Sequence, residues 1–125
     1  IVVSVNGDGD YLMNGQELAT AMQYGVNTVF MIVNNGLYGT IRMHQERDYP
    51  ARVYATALST PDFAALARAY GAPGECVEET AQFAPAFERS LAAAKPALIE
   101  IRIDPQAITT ATTLDAIRSR SLNRA

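Results

Sequence analysis

The sequence predicts an α/β fold: a three-layer parallel sheet with helices on both faces. Short β-branched runs alternate with segments of helical period, which is the pattern of strands joined by crossover helices. The run Thr28 to Val33 (TVFMIV) has no alternating polar positions, as expected of a strand covered on both faces. The first two strands each stop at a cluster of Asn, Gly and Asp.

In chain order, Ile1 to Val5 is mostly β-branched and reads as a buried strand. Gly7-Asp8-Gly9-Asp10 reads as a turn. Leu18, Ala21, Met22 and Gly25 recur at helical spacing, so a helix is expected from about Asn14 to Tyr24, with Asn14 or Asn27 as cap or turn residues. TVFMIV follows and ends at Asn34-Asn35-Gly36, and a short helix is expected from about Tyr38 to Gln45. Asp48 to Ser59 shows no period and reads as loop.

Thr60-Pro61-Asp62 reads as a helix start, with a capping Thr, Pro at the first helical position and an acid in the first turn. Phe63, Leu66, Ala67 and Tyr70 form its apolar face, and Gly71 is expected to end it as a left-handed cap. Glu75 to Glu78 is a short strand, with Cys76 a small buried hydrophobe on it. The next helix carries Phe83, Phe87, Leu91 and Ala94, and Pro85 is expected in its first turn or outside it. Ala97 to Ile103 is the last strand of a domain spanning residues 1–104, and residues 105–125 form a Thr-rich tail with one possible helix around Leu114 to Arg120.

Composition excludes several classes. Hydrophobic residues make up 49% and charged residues 18% of the 125, enough for a packed core and against disorder. A net charge of -3 with scattered Lys and Arg argues against a nucleic-acid partner. No stretch matches the length of a membrane span. The single cysteine allows neither an internal disulfide nor a cysteine zinc site, which fits a reduced, cytoplasmic setting. The opening IVVSVNGDGD lacks the marks of a signal peptide, and a start inside a strand suggests a fragment of something larger.

In an open parallel sheet, ligands bind beyond the carboxyl ends of strands. If the first two strands are neighbours, their polar loops meet at one edge. Such an edge suits Mg²⁺ and a diphosphate, because a hard cation takes oxygen ligands. Asp8 offers a carboxylate and Asn35 an amide oxygen, while Gly7 and Gly9 let backbone N–H groups approach phosphate. A following helix would aim its N-terminus at the same place. A dinucleotide fingerprint fails because its third glycine position is Leu12. A calcium EF-hand fails because the fifth and sixth loop positions are Leu12 and Met13.

GDG, twenty-odd residues and then NN resembles the signature of thiamine-diphosphate enzymes. The flanks GDGDYLMNGQELATAMQYG and VNNGLYGTIRMHQE are similar to the acetolactate synthase-like branch, which includes carboligases and decarboxylases of 2-oxo acids. The resemblance runs from Ile1 to about Asp104 and is specific for cofactor rather than substrate. It implies Asp8, Asn35 and the Leu37 carbonyl as Mg²⁺ ligands. It implies Gly7, Gly9, Asp10, Tyr38, Gly39 and Thr40 as positions near the diphosphate. Met43 and His44 fall where family members line the substrate pocket.

The resemblance further implies a homo-oligomer. The glutamate that activates the aminopyrimidine lies, in the family, on a pyrimidine-binding domain of the same or a partner subunit. Glu17 is not that residue and is expected to bond within the fold. The chain alone is therefore expected to bind cofactor without turning over substrate. The alternative is a stand-alone, non-catalytic cofactor-binding or assembly module of the same fold. Against the pocket reading, His44 reads equally well as a surface residue, and Arg42 and Arg47 read as solvated helix charges or carboxylate clamps.

Overall fold

A computed structural model describes residues 1–124. The elements run β1 (Val2–Gly7), α1 (Asp8–Asn14), α2 (Glu17–Tyr24), β2 (Thr28–Asn34), α3 (Gly39–Asp48), α4 (Phe63–Ala69), β3 (Gly74–Val77), α5 (Thr80–Ala92), β4 (Ala97–Arg102), β5 (Ala107–Thr109), β6 (Thr112–Thr113) and α6 (Leu114–Leu122). They divide into two compact units. The first is Ile1–Asn34 with Thr60–Arg102, and the second is Asn35–Ser59 with the chain from Ile103 onward.

The first unit holds a four-stranded sheet in the order β1-β2-β4-β3, every pair parallel. Strand alternation splits its side chains into two cores. Phe30, Ile32 and Leu98 pack with Tyr11 of α1, Leu18 of α2 and Phe63 and Ala67 of α4. Val29, Met31 and Ile99 pack with Val77 and with Ala86 and Phe87 of α5. Each face of β2 and β4 thus has its own helices, as the unbroken apolar run TVFMIV predicts for β2. Tyr11 sits edge-on to Phe63, with ring centroids 5.6 Å apart.

Several local expectations need correction. The first strand is an edge strand rather than a buried one, with Val2, Val3 and Val5 exposed, because only β2 pairs with it. Gly7-Asp8-Gly9-Asp10 is not a turn: α1 begins at Asp8, and the predicted single helix is two, broken near Gly15. Asn14 closes α1, and Gly25, at φ +60°, caps the second helix in place of an Asn. The cap of α4 is Asp62, whose carboxylate accepts from the Ala65 N–H at 2.6 Å, while the Thr60 hydroxyl accepts from Asn34.

Two more corrections concern β3 and α5. Cys76 lies on β3 as predicted but is exposed. Pro85 lies inside α5, beyond its first turn. Its missing N–H leaves the Ala81 carbonyl without a helical partner, and both residues are exposed, so water can serve instead. Gly71 behaves as predicted, with φ +82° just past the end of α4.

In the second unit, α6 packs on α3 and the Ser121 hydroxyl donates to the Arg47 carbonyl at 2.9 Å. Thr113 caps α6 by accepting from the Ala116 N–H at 3.2 Å. The tail also carries the antiparallel ribbon β5–β6, which its Thr-rich composition hid. No helix among the described residues is long and apolar enough to cross a membrane.

Gly74 opens β3 where a Cβ would collide with the Ala64 carbonyl of α4. Gly74→Ala is expected to destabilise the protein by about 1–3 kcal/mol through overpacking. Urea unfolding followed by circular dichroism checks this.

Candidate functional site

β1 and β2 are neighbours, and their register sets Gly7 opposite Val33. Asp8, which opens α1, and Asn34, which ends β2, therefore lie at the same end of the sheet. Asn35 is the next residue along the chain and opens the second unit. The candidate residues therefore fall into two groups, one in each unit.

The first group is Gly7, Asp8, Gly9 and Asp10, at the junction of β1 and α1. Asp8 is buried, 3% exposed, and its Oδ1 accepts from the Gly9 N–H at 2.9 Å. Asp10 is exposed, and its Oδ2 accepts from the Gly7 N–H at 3.2 Å. Asp10 therefore caps α1 and neutralises part of its positive end. Gly9 is buried against the same turn.

The second group lies on the loop after β2 and on α3. The Asn35 Oδ1 accepts from the Leu37 N–H at 3.0 Å, a turn that fixes the amide and turns its Nδ2 toward Gly39. A Cβ on Gly39 would lie 2.9 Å from Asn35 Nδ2 and 2.9 Å from Ile108 Cδ1. The loop is zipped to the segment that returns beside it. Tyr38 N–H donates to the Thr56 carbonyl at 2.9 Å, Leu58 N–H donates to the Gly36 carbonyl at 2.8 Å, and Leu37 bridges Ala57. Tyr38 and Thr40 are exposed at the start of α3.

His44 is exposed on α3 and its Nδ1 accepts from Arg47 Nη2 at 2.7 Å. Arg47 also pairs with Asp48 at 2.9 Å, and Arg42 donates to Glu46 at 2.9 Å. Both arginines are thus engaged within α3. Glu17, expected to bond within the fold, accepts from the Thr20 hydroxyl at 2.8 Å.

Two buried carboxylates escaped the sequence reading. Glu100, on β4, is fully buried and accepts from Asn34 Nδ2 at 2.9 Å, the Phe63 N–H at 3.0 Å and Arg102 Nε at 3.1 Å. It ties the end of β2 to the start of α4. Its signal was a lone acid inside the apolar run ALIEIRI. Glu46, on α3, is also fully buried. It accepts from Arg118 of α6, from Arg42 and from the Ala51 N–H. The bidentate Arg118 bond, chiefly, holds its carboxyl down to about 2.

No cluster of three or more His, Cys, Asp or Glu among the described residues suits a metal. A divalent ion here would need one carboxylate, amide and backbone oxygens, and oxygens brought by a ligand. That donor set is the one Mg²⁺ prefers when it binds with a phosphate. Asp8 and the Asn35 amide fit it by chemistry.

The sequence profile described as "Thiamine pyrophosphate enzyme, C-terminal TPP binding domain" matches residues 1–101. The chain belongs to this family of TPP-binding domains. Among its relatives, an acetolactate synthase of Arthrospira platensis is 36% identical over 104 residues, covering 82% of this chain and 18% of that protein. An acetolactate synthase large subunit of Haemophilus influenzae is 46% identical over 74 residues, covering 58% of this chain and 13% of that protein.

Two solved structures share the fold of this TPP-binding domain. The benzoylformate decarboxylase of Polynucleobacter necessarius aligns with a TM-score of 0.77 at 25% identity, over 83% of this chain and 20% of that one. The thiamine diphosphate-dependent 4-hydroxybenzoylformate decarboxylase of Rhodococcus jostii aligns with a TM-score of 0.77 at 34% identity, over 82% and 20%. The TPP-binding domain thus spans about a fifth or less of the length of these relatives.

The folded value of Glu46 lies below the ordinary 4.5. Its contribution to stability is therefore complete above about 4.5 and is lost as pH falls from there to about 2. Melting temperature measured across that window is expected to fall more steeply for the native chain than for Glu46→Gln.

Proposed function

We propose that this TPP-binding domain holds the diphosphate of thiamine diphosphate through Mg²⁺, within an enzyme that acts on 2-oxo acids. The family match over residues 1–101 carries the reading. The motif residues that end two neighbouring parallel strands support it.

In this reading the Asp8 carboxylate, the Asn35 amide oxygen and the Leu37 carbonyl bind Mg²⁺. Gly7, Gly9, Asp10, Tyr38, Gly39 and Thr40 lie near the diphosphate. Burial of Asp8 favours a bound cation, since a buried carboxylate gains most from opposite charge. When bound, the cofactor supplies an electron sink beside a substrate carbonyl. The chain's own residues bind, orient and neutralise. His44, exposed beside Arg47, lines the approach of an anionic substrate.

The relatives named as acetolactate synthases and benzoylformate decarboxylases support a carboligase or decarboxylase of 2-oxo acids as the whole activity. A pyrimidine-binding domain, from the same or a partner subunit, completes the site in a cytoplasmic homo-oligomer.

Calorimetric titration with thiamine diphosphate, with and without Mg²⁺, tests this on the 125-residue chain. Binding is expected only with metal. Asp8→Ala is expected to weaken it by more than the roughly 10–100-fold typical of changes around a ligand shell. Tight metal-free binding that the substitution leaves alone overturns the site.

Gly39→Ala tests the second group. Its methyl would push the Asn35 amide or Ile108 aside. Affinity is expected to fall about tenfold, as for a ligand displaced by a fraction of an ångström. An unchanged titration would remove Asn35 from the ligand set.

A further inference from the structure

We propose that Glu46 and Arg118 act as a positioning pair, holding the Asn35–Leu37 loop in its binding shape without touching the cofactor themselves. This rests on the cofactor reading above for the loop's role, but its mechanical part stands on the second unit alone.

The connection runs through named bonds. Arg118 of α6 grips both oxygens of the Glu46 carboxylate. The same carboxylate accepts from the Ala51 N–H at 3.1 Å. One residue earlier on α3, the Gln45 amide clasps Tyr54 in both directions, donating to its carbonyl at 2.8 Å and accepting from its N–H at 3.2 Å. At the first anchor and just beyond the second, Ala51 and Ala55 hold left-handed backbone, at φ +61° and +53°. Alanine resists that region because its Cβ crowds the carbonyl, so the conformation persists only while other contacts impose it. The next residues, Thr56 to Leu58, form the zipper with Gly36 to Tyr38.

The loop that carries Asn35 and Leu37 is therefore braced by a strained segment. That segment is pinned at Ala51 by a carboxylate, and the carboxylate is fixed by an arginine 72 residues away in sequence. Removing Arg118 leaves Glu46 buried beside Arg42 alone among cations, and the carboxylate then turns from Ala51 toward water or Arg42. The left-handed alanines relax, and the zipper loses its outer strand.

Hydrogen exchange and calorimetry on the 125-residue chain test this together. Arg118→Ala is expected to speed exchange at the Tyr38 and Leu58 amides, with Ile32 and Leu98 in the sheet unchanged. It is also expected to weaken Mg²⁺-dependent thiamine diphosphate binding about tenfold, a usual size for coupling between separated groups. Arg118→Lys, which keeps charge but not the two-pronged grip, is expected to fall between. Adding Ala51→Gly to Arg118→Ala is expected to restore part of the protection and affinity, since glycine accepts the left-handed backbone.

Native exchange at Tyr38 and Leu58 in Arg118→Ala overturns the proposal. If that variant does not fold, Arg118→Lys is read by the same criterion. Loss of binding in Asn35→Ala with full binding in Arg118→Ala also overturns the pair and leaves the cofactor reading standing. Full binding in both Asn35→Ala and Asp8→Ala overturns the cofactor reading instead, and the exchange result still decides whether the brace exists.

Discussion

The parallel pairing of β1 with β2 is the constraint on which the first unit depends. It sets Gly7 level with Val33, so the start of α1 and the end of β2 lie at one end of the sheet. A parallel neighbour needs a crossover, and α1 with α2 supplies it. The same crossover carries Tyr11 and Leu18 into the core on Ile32 and Phe30, which fixes β2 from one side. A register slip of one residue would turn Ile32 out of that core and part the two strand ends.

Much of this was legible because it is local. TVFMIV announces a doubly covered strand, and the structure packs α1, α2 and α4 on one face of it and α5 on the other. Gly71 announces a helix end because its neighbours cannot easily take a positive φ. The motif GDG with NN announces the family, and the profile match over residues 1–101 bears that out. The first strand misled because an apolar run does not say which sheet position it takes, and β1 is an edge. The GDG segment misled because glycines that signal a turn also permit a strand to pass directly into a helix. Thr60-Pro61 misled because Thr60 serves Asn34, and Asp62 made a shorter bond to the first turn.

Glu46 and Glu100 were illegible for a different reason. A buried acid is recognisable only through its partners, and these lie far along the chain. Asn34 meets Glu100 across 66 positions, and Arg118 meets Glu46 across 72. Both acids are fully satisfied, by three donors in one case and by two arginines and a backbone N–H in the other. Each ties together segments that secondary structure alone would leave independent: β2 to α4 through Glu100, and α3 to α6 through Glu46. Breaking one side of either arrangement strands a charge in the interior, which is the costly direction of change.

Cys76 offers a practical opening of another kind. It is the chain's sole thiol, and β3, which carries it, borders the sheet on the side away from β1. Partial burial first, and then the negative charge of Glu100, push that thiol above its ordinary range. A maleimide or a spin label would therefore attach at one known address without mutagenesis, slowly near neutrality and faster in mild alkali, because the thiolate is the attacking form. A fluorophore placed there would report on the sheet from its far margin.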